Sequence, residues 1–197
     1  MKNLHNLFIA ITFLATLWGC AKNKPAQEAT EVVADTTDTT EVTTPTFASG
    51  ENFKTQFNGF YSAYLKLSDA FVASDADKVI QEAGQISKTL GTFNTDGLND
   101  AAGQAWKSAS TEIEIALRDI GTSHDVEIQR AAFSTISNQM YQLIKDFGIT
   151  DQKAYYTYCP MAFNDKGGYW ISSKEEIRNP YFGDKMLTCG VVKEELN

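Results

Sequence analysis

Histidine is almost missing from this chain, which holds only His5 and His124 among its 197 residues. So few imidazoles leave no paired-His motif of the kind that binds catalytic zinc. A Gly-rich phosphate loop and a Gly-x-Ser-x-Gly nucleophile elbow are missing as well, and the chain is read as a non-enzyme. Positive charge is also in short supply, with 17 Lys and Arg against 25 Asp and Glu and a net charge of -8. That balance excludes nucleic acid as a partner and argues against direct adsorption on anionic lipid, since phosphate binding needs a basic face. No internal repeat is present, which excludes a solenoid. The one long apolar run, Leu7 to Leu17, is too short to span a bilayer, which takes about 20 residues.

What is there begins with that run. A short basic start, Met1-Lys2, leads into the apolar segment and then into Leu17-Trp18-Gly19-Cys20. This order reads as an export signal. The last four residues resemble the lipobox of bacterial lipoproteins, in which cleavage precedes the cysteine and its sulfur is acylated. The resemblance implies a signal peptide over 1–19, a lipid on Cys20, and a chain held by that lipid to a membrane of the cell envelope, facing the periplasm or the surface.

Residues 20–49 follow as a Thr-rich acidic stretch with Pro25, Pro45 and a single aromatic, Phe47. Its apolar content is too small to offset backbone entropy, so it is expected to be a disordered tether. About 150 residues remain, enough for one domain with a real core. That unit is divided into a helical part, 50–148, and a tail, 149–197, packed on it.

Four stretches of the helical part carry a helix period. Phe53, Phe57, Phe60, Tyr64, Leu67 and Phe71 form the first stripe; Val79, Ala83, Ile86, Leu90 and Phe93 the second, after a Ser74-Asp75 cap. Ala102, Trp106, Ala109, Ile113, Ala116, Leu117 and Ile120 form the third. The fourth is expected to start at Ser123 as N-cap, to bury Ile128, Ala132, Ile136, Met140, Leu143 and Phe147, and to end at Gly148. The breaks between them are short, which forces neighbours antiparallel. The expected fold is therefore mainly α: an up-down four-helix bundle followed by a small C-terminal β-hairpin or irregular subdomain. His124, beside Ser123 and Asp125, is read as a solvated first-turn residue, because chain neighbours rarely face one another in a catalytic arrangement.

The tail changes character. Ala154 to Phe163 is aromatic and strand-like, Asn164 to Gly168 is a turn, and Tyr169 to Ser172 is strand-like again, which predicts a hairpin. The soft-sulfur residues gather here, as Cys159-Pro160-Met161 and Met186-Leu187-Thr188-Cys189. Thiolate and thioether sulfur select Cu(I), and by the same softness Ag(I), over hard ions. Brought together by the hairpin, Cys159, Met161, Met186 and Cys189 would surround one such ion. The alternative is open on the same residues: in an oxidising compartment Cys159 and Cys189 would form a disulfide, worth on the order of 3 kcal/mol for a loop of this length.

Tyr158-Cys159-Pro160-Met161, Asn164 to Trp170 and Ile177 to Gly190 together resemble the C-terminal signature of the bacterial domain-of-unknown-function family 3347. The likeness extends more thinly over the helices, where Ser123 to Phe133, including Gln129-Arg130, is its better part. Members of that family occur as lipoproteins and fused to periplasmic adaptor subunits of heavy-metal efflux pumps. The resemblance thus implies copper or silver handling beside an efflux adaptor or a metallochaperone. Tyr158 to Met161 is also similar to the Tyr-x-Cys-Pro-Met-His-Pro box of small heavy-metal-binding domains, but Ala162-Phe163 stands where His-Pro would be and removes an imidazole ligand.

Overall fold

The structure is a computed structural model and describes residues 44–196. The expected signal peptide, Cys20 and most of the expected tether lie outside those residues. Four long helices come first: α1 Glu51–Val72, α2 Ala76–Gly91, α3 Asp100–Gly121 and α4 Val126–Phe147. The stripes of α1 and α3 are buried as their spacing predicts, and Val79, Ala83, Ile86 and Leu90 of α2 with them. Asp75 and Asn99 cap α2 and α3, each accepting a first-turn N–H at 2.9 Å. Consecutive helices pack side by side through short connections in the up-down order, and Phe53 draws α1, α3 and α4 together through Trp106 at 5.4 Å and Phe147 at 4.6 Å.

The start of α4 departs from expectation. Asp125 is the N-cap, accepting from the Glu127 N–H, while Ser123 accepts from the Asp125 N–H one step earlier. Ile128 is 60% exposed, and Gln129 and Arg130 point inward beside it. The reason is the carbonyls at the ends of neighbouring helices, which have no intrahelical donors. The Gln129 side chain donates to the Ser123 oxygen at 2.6 Å and the Ile120 oxygen at 3.4 Å, a service no apolar residue can perform. Gly148 ends α4 with φ 69°, as its place after the last turn requires.

The tail forms a sheet of strands β1 Ala154–Cys159, β2 Gly168–Ser172 and β3 Val191–Leu196, antiparallel throughout and ordered β2-β1-β3. The β1–β2 hairpin is the expected one; β3 was not foreseen. Phe163, placed by its sequence in a strand, instead opens a left-handed turn in which Phe163, Asn164 and Asp165 have φ of 55°, 58° and 62°. Asn and Asp tolerate that region, whereas Phe163 is held there with its ring edge-on to Tyr181 at 5.0 Å.

Hydrogen bonds and ring contacts seat the sheet on the bundle. The buried Tyr64 hydroxyl accepts from the Ile171 N–H at 2.9 Å and pairs with the Ser137 hydroxyl at 2.9 Å. Tyr141 of α4 stacks on Tyr156 of β1, with ring centroids 4.0 Å apart. At the other end Phe47 N–H donates to the Asp146 oxygen at 2.8 Å, so residues at the close of the stretch read as a tether lie against α4. Among the described residues no helix is long and apolar enough to cross a membrane.

Candidate functional site

Cys159 is the last residue of β1, and Cys189 closes a turn in which its N–H donates to the Met186 oxygen at 3.1 Å. What joins them is the pairing of β3 with β1, where Val191 stands opposite Tyr158. The chain just before Val191 must therefore pass the chain just after Tyr158. The expectation that the β1–β2 hairpin unites the sulfurs is corrected on this point, since the hairpin sets Cys159 against Gly168. The two Sγ atoms lie 3.0 Å apart, both cysteines are free, and Cys159 is buried while Cys189 is half-buried.

Two polar side chains fix this geometry. Asn179, fully buried, donates from Nδ2 to the Cys189 oxygen at 2.7 Å and accepts the Tyr181 N–H on Oδ1 at 2.8 Å. Its main chain continues the clamp, donating to the Leu187 oxygen at 2.8 Å. Arg130 holds the same loop from the bundle side: Nε donates to the Pro180 oxygen at 2.9 Å, and the guanidinium also reaches Ser74 Oγ at 2.9 Å and the Phe71 oxygen at 3.3 Å. Gly190 carries no side chain because a Cβ there would lie 2.8 Å from the Trp170 ring. The Cys189 thiol is pushed up to about 11, first by its hydrogen bond with the Cys159 thiol and then by burial, with the Met161 N–H offsetting part of the rise. The Cys189 proton is therefore in place at neutral pH, and an ion that binds has to displace it.

The thioethers sit next door. Met161 is 45% exposed, and with Met186 it lines a cleft of about 370 Å³ whose walls include Glu127, Phe163, Asp165 and Tyr181. Neither cysteine is among its lining residues. The structure thus brings the two thiols together, and the two methionines into one neighbouring cleft. A larger cleft of about 420 Å³ lies elsewhere, along α1 and the loop after β2, and no sulfur lines it. His124 pairs with Asp77 across the bundle end, Nδ1 to Oδ1 at 2.9 Å, with both side chains exposed. Among the described residues no group of three or more His, Cys, Asp or Glu is placed to hold a metal ion.

Asn179 and Arg130 carry no motif that would have marked them beforehand. Asn179 lies within Ile177 to Gly190 and Arg130 within Gln129-Arg130, stretches that carry the family likeness, but their partners come from loops and helix ends distant in sequence.

The model of a family described as a protein of unknown function (DUF3347) matches residues 60–152. The chain carries a DUF3347 domain. Its matched stretch runs from within α1 to just before β1, so the DUF3347 match rests on the helices. Residues 158–190, where the likeness read from sequence was densest, lie beyond it. No curated protein and no solved structure matches the chain.

Proposed function

We propose that this DUF3347 protein is an envelope lipoprotein that holds a soft monovalent ion, Cu(I) or Ag(I), between Cys159 and Cys189. It acts as a buffer or chaperone for an efflux adaptor or another metallochaperone, with lipid on Cys20 as its anchor and no catalytic role. The observation that carries the reading is the 3.0 Å approach of two free thiols from turns 30 residues apart. Two thiolates suit a cuprous or silver ion, which accepts low coordination and prefers sulfur. A thiolate–metal bond is about 2.3 Å, so two sulfurs flanking an ion in line stand about 4.6 Å apart. Reaching that span requires the pair to open, and of the two cysteines Cys189 is the half-buried one. Competition for Cu(I) against a chromophoric chelator under reducing conditions tests the proposal. Sub-micromolar binding is expected, and Cys159→Ser with Cys189→Ser should abolish it; unchanged affinity in that double variant defeats the reading.

One observation also favours a second reading, a partner-binding or structural lipoprotein stapled by a Cys159–Cys189 disulfide. The thiols already touch, and a disulfide needs an approach to about 2.05 Å. In that case protein taken from the envelope without reduction has no thiol to label. Full labelling of both cysteines counts against the staple.

A further inference from the structure

We infer that Met161 and Met186 form a separate outer station, which captures a soft monovalent cation from solvent and passes it to Cys159 and Cys189. The inference rests on the reading that the thiols hold such an ion, and adds a route by which it arrives. Geometry separates the two stations: the methionines share a cleft that neither cysteine lines. Chain connection joins them, since Met161 lies two residues beyond Cys159, the Met161 N–H approaches Cys189 Sγ, and the Met186 oxygen accepts the Cys189 N–H at 3.1 Å.

The exposure of Met161 is the telling feature. Met140, by contrast, is fully buried in the helical core, where a flexible thioether fills space. Met161 stays 45% exposed at the cleft, where it is open to solvent although Phe163 and Tyr181 line the same walls. Three charged residues line that cleft: Arg130 and Glu127 pair with each other at 2.7 Å, and Asp165 makes no ion pair among the described residues, so the charge left over at the mouth is negative.

Chemistry supplies the order of events. A thioether has no proton to lose, so it can bind the ion at once, whereas the thiols must give up theirs. The transfer is a ligand exchange: the bonds from the ion to Met sulfur break, two bonds to thiolate form, and two protons pass to solvent. No electron moves, and no oxidant or reductant is needed.

Two measurements on the full-length protein decide it. In the Cys159→Ser/Cys189→Ser variant, titration with Ag(I) should shift the ε-methyl resonances of Met161 and Met186 and leave that of Met140 in place. In a Met161→Leu/Met186→Leu variant, which conserves volume and thiols, the final Cu(I) stoichiometry should be kept. Its loading from a Cu(I)–bathocuproine disulfonate complex should slow on the order of tenfold, the low end of what ligand-supporting residues cost when removed. Methyl resonances that do not respond to Ag(I), or an unchanged loading rate in the Leu variant, overturn the outer station while leaving the thiol site standing. If the wild type takes up no Cu(I) at its thiols, the proposed function fails and the inference falls with it.

Discussion

The Asn179 side chain donates to the main-chain oxygen of Cys189 at 2.7 Å from a position with no solvent exposure. Removing that amide leaves the Cys189 oxygen and the Tyr181 N–H without their partner, and a buried polar group stripped in this way costs about 1–3 kcal/mol. Asn179→Ala should therefore lower stability by roughly that amount and release the turn that presents Cys189. Denaturant unfolding reads the first effect, and faster alkylation of the wild-type thiols in the folded variant reads the second.

Arg130 is a parallel case on the bundle side. Its guanidinium joins Pro180 of the tail to Phe71 and Ser74 at the end of α1, and it pairs with Glu127 at 2.7 Å. Arg130→Lys keeps the charge but loses the planar fork that serves several acceptors at once. A loss of about 2–3 kcal/mol is expected, the scale of a hydrogen bond to a charged group with its buried acceptors left bare. Thermal unfolding followed by near-UV circular dichroism checks it, through the aromatic residues at the tail–bundle junction.

At Gly183, φ is 56° and an added Cβ would lie 2.4 Å from Ser74 Oγ and 2.8 Å from the Val72 oxygen. The hydroxyl can turn away; the backbone oxygen cannot. Gly183→Ala should destabilise the protein by more than the roughly 1 kcal/mol that a left-handed conformation alone costs a residue with a side chain. A Tm equal to that of the wild type would refute the close approach of this loop to the end of α1.

The Cys189 thiol, raised to about 11, sets a pH signature. An ordinary thiol ionises near 8.5, so between about 8.5 and 11 the unfolded chain gives up a proton that the folded one keeps. Stability from this group is complete below that window and declines as pH rises through it. Tyr64 and Tyr181, whose hydroxyls burial also pushes up, erode stability at alkaline pH too, so the selective readout is alkylation of Cys189. Its rate should keep climbing with pH up to about 11, where a free thiol has already levelled off.

Much of the helical part was legible because its period is strong. Every inward position named for α1 and α3 is buried, since six or seven apolar groups on one face leave a helix a single way to pack. Ile128 misled because apolar spacing says nothing of orphaned carbonyls, and those drew Gln129 and Arg130 inward instead. Strand β3 was hidden by Lys193, Glu194 and Glu195, which look like a solvated end; such charges are what an edge strand carries to discourage further pairing. The thiol pair was legible as a possibility and its cause was not. Strand β3 brings the cysteines together, and a reading that lacked β3 could only assign the meeting to the hairpin.

X-ray absorption at the copper edge of the reduced protein, loaded with one equivalent of Cu(I), tests the central claim most directly. The account predicts a sulfur-only first shell in the wild type that is kept in Met161→Leu/Met186→Leu and is lost when Cys159 and Cys189 are also replaced by serine. A first shell of nitrogen or oxygen in the wild type, or a sulfur shell that survives all four replacements, would contradict it.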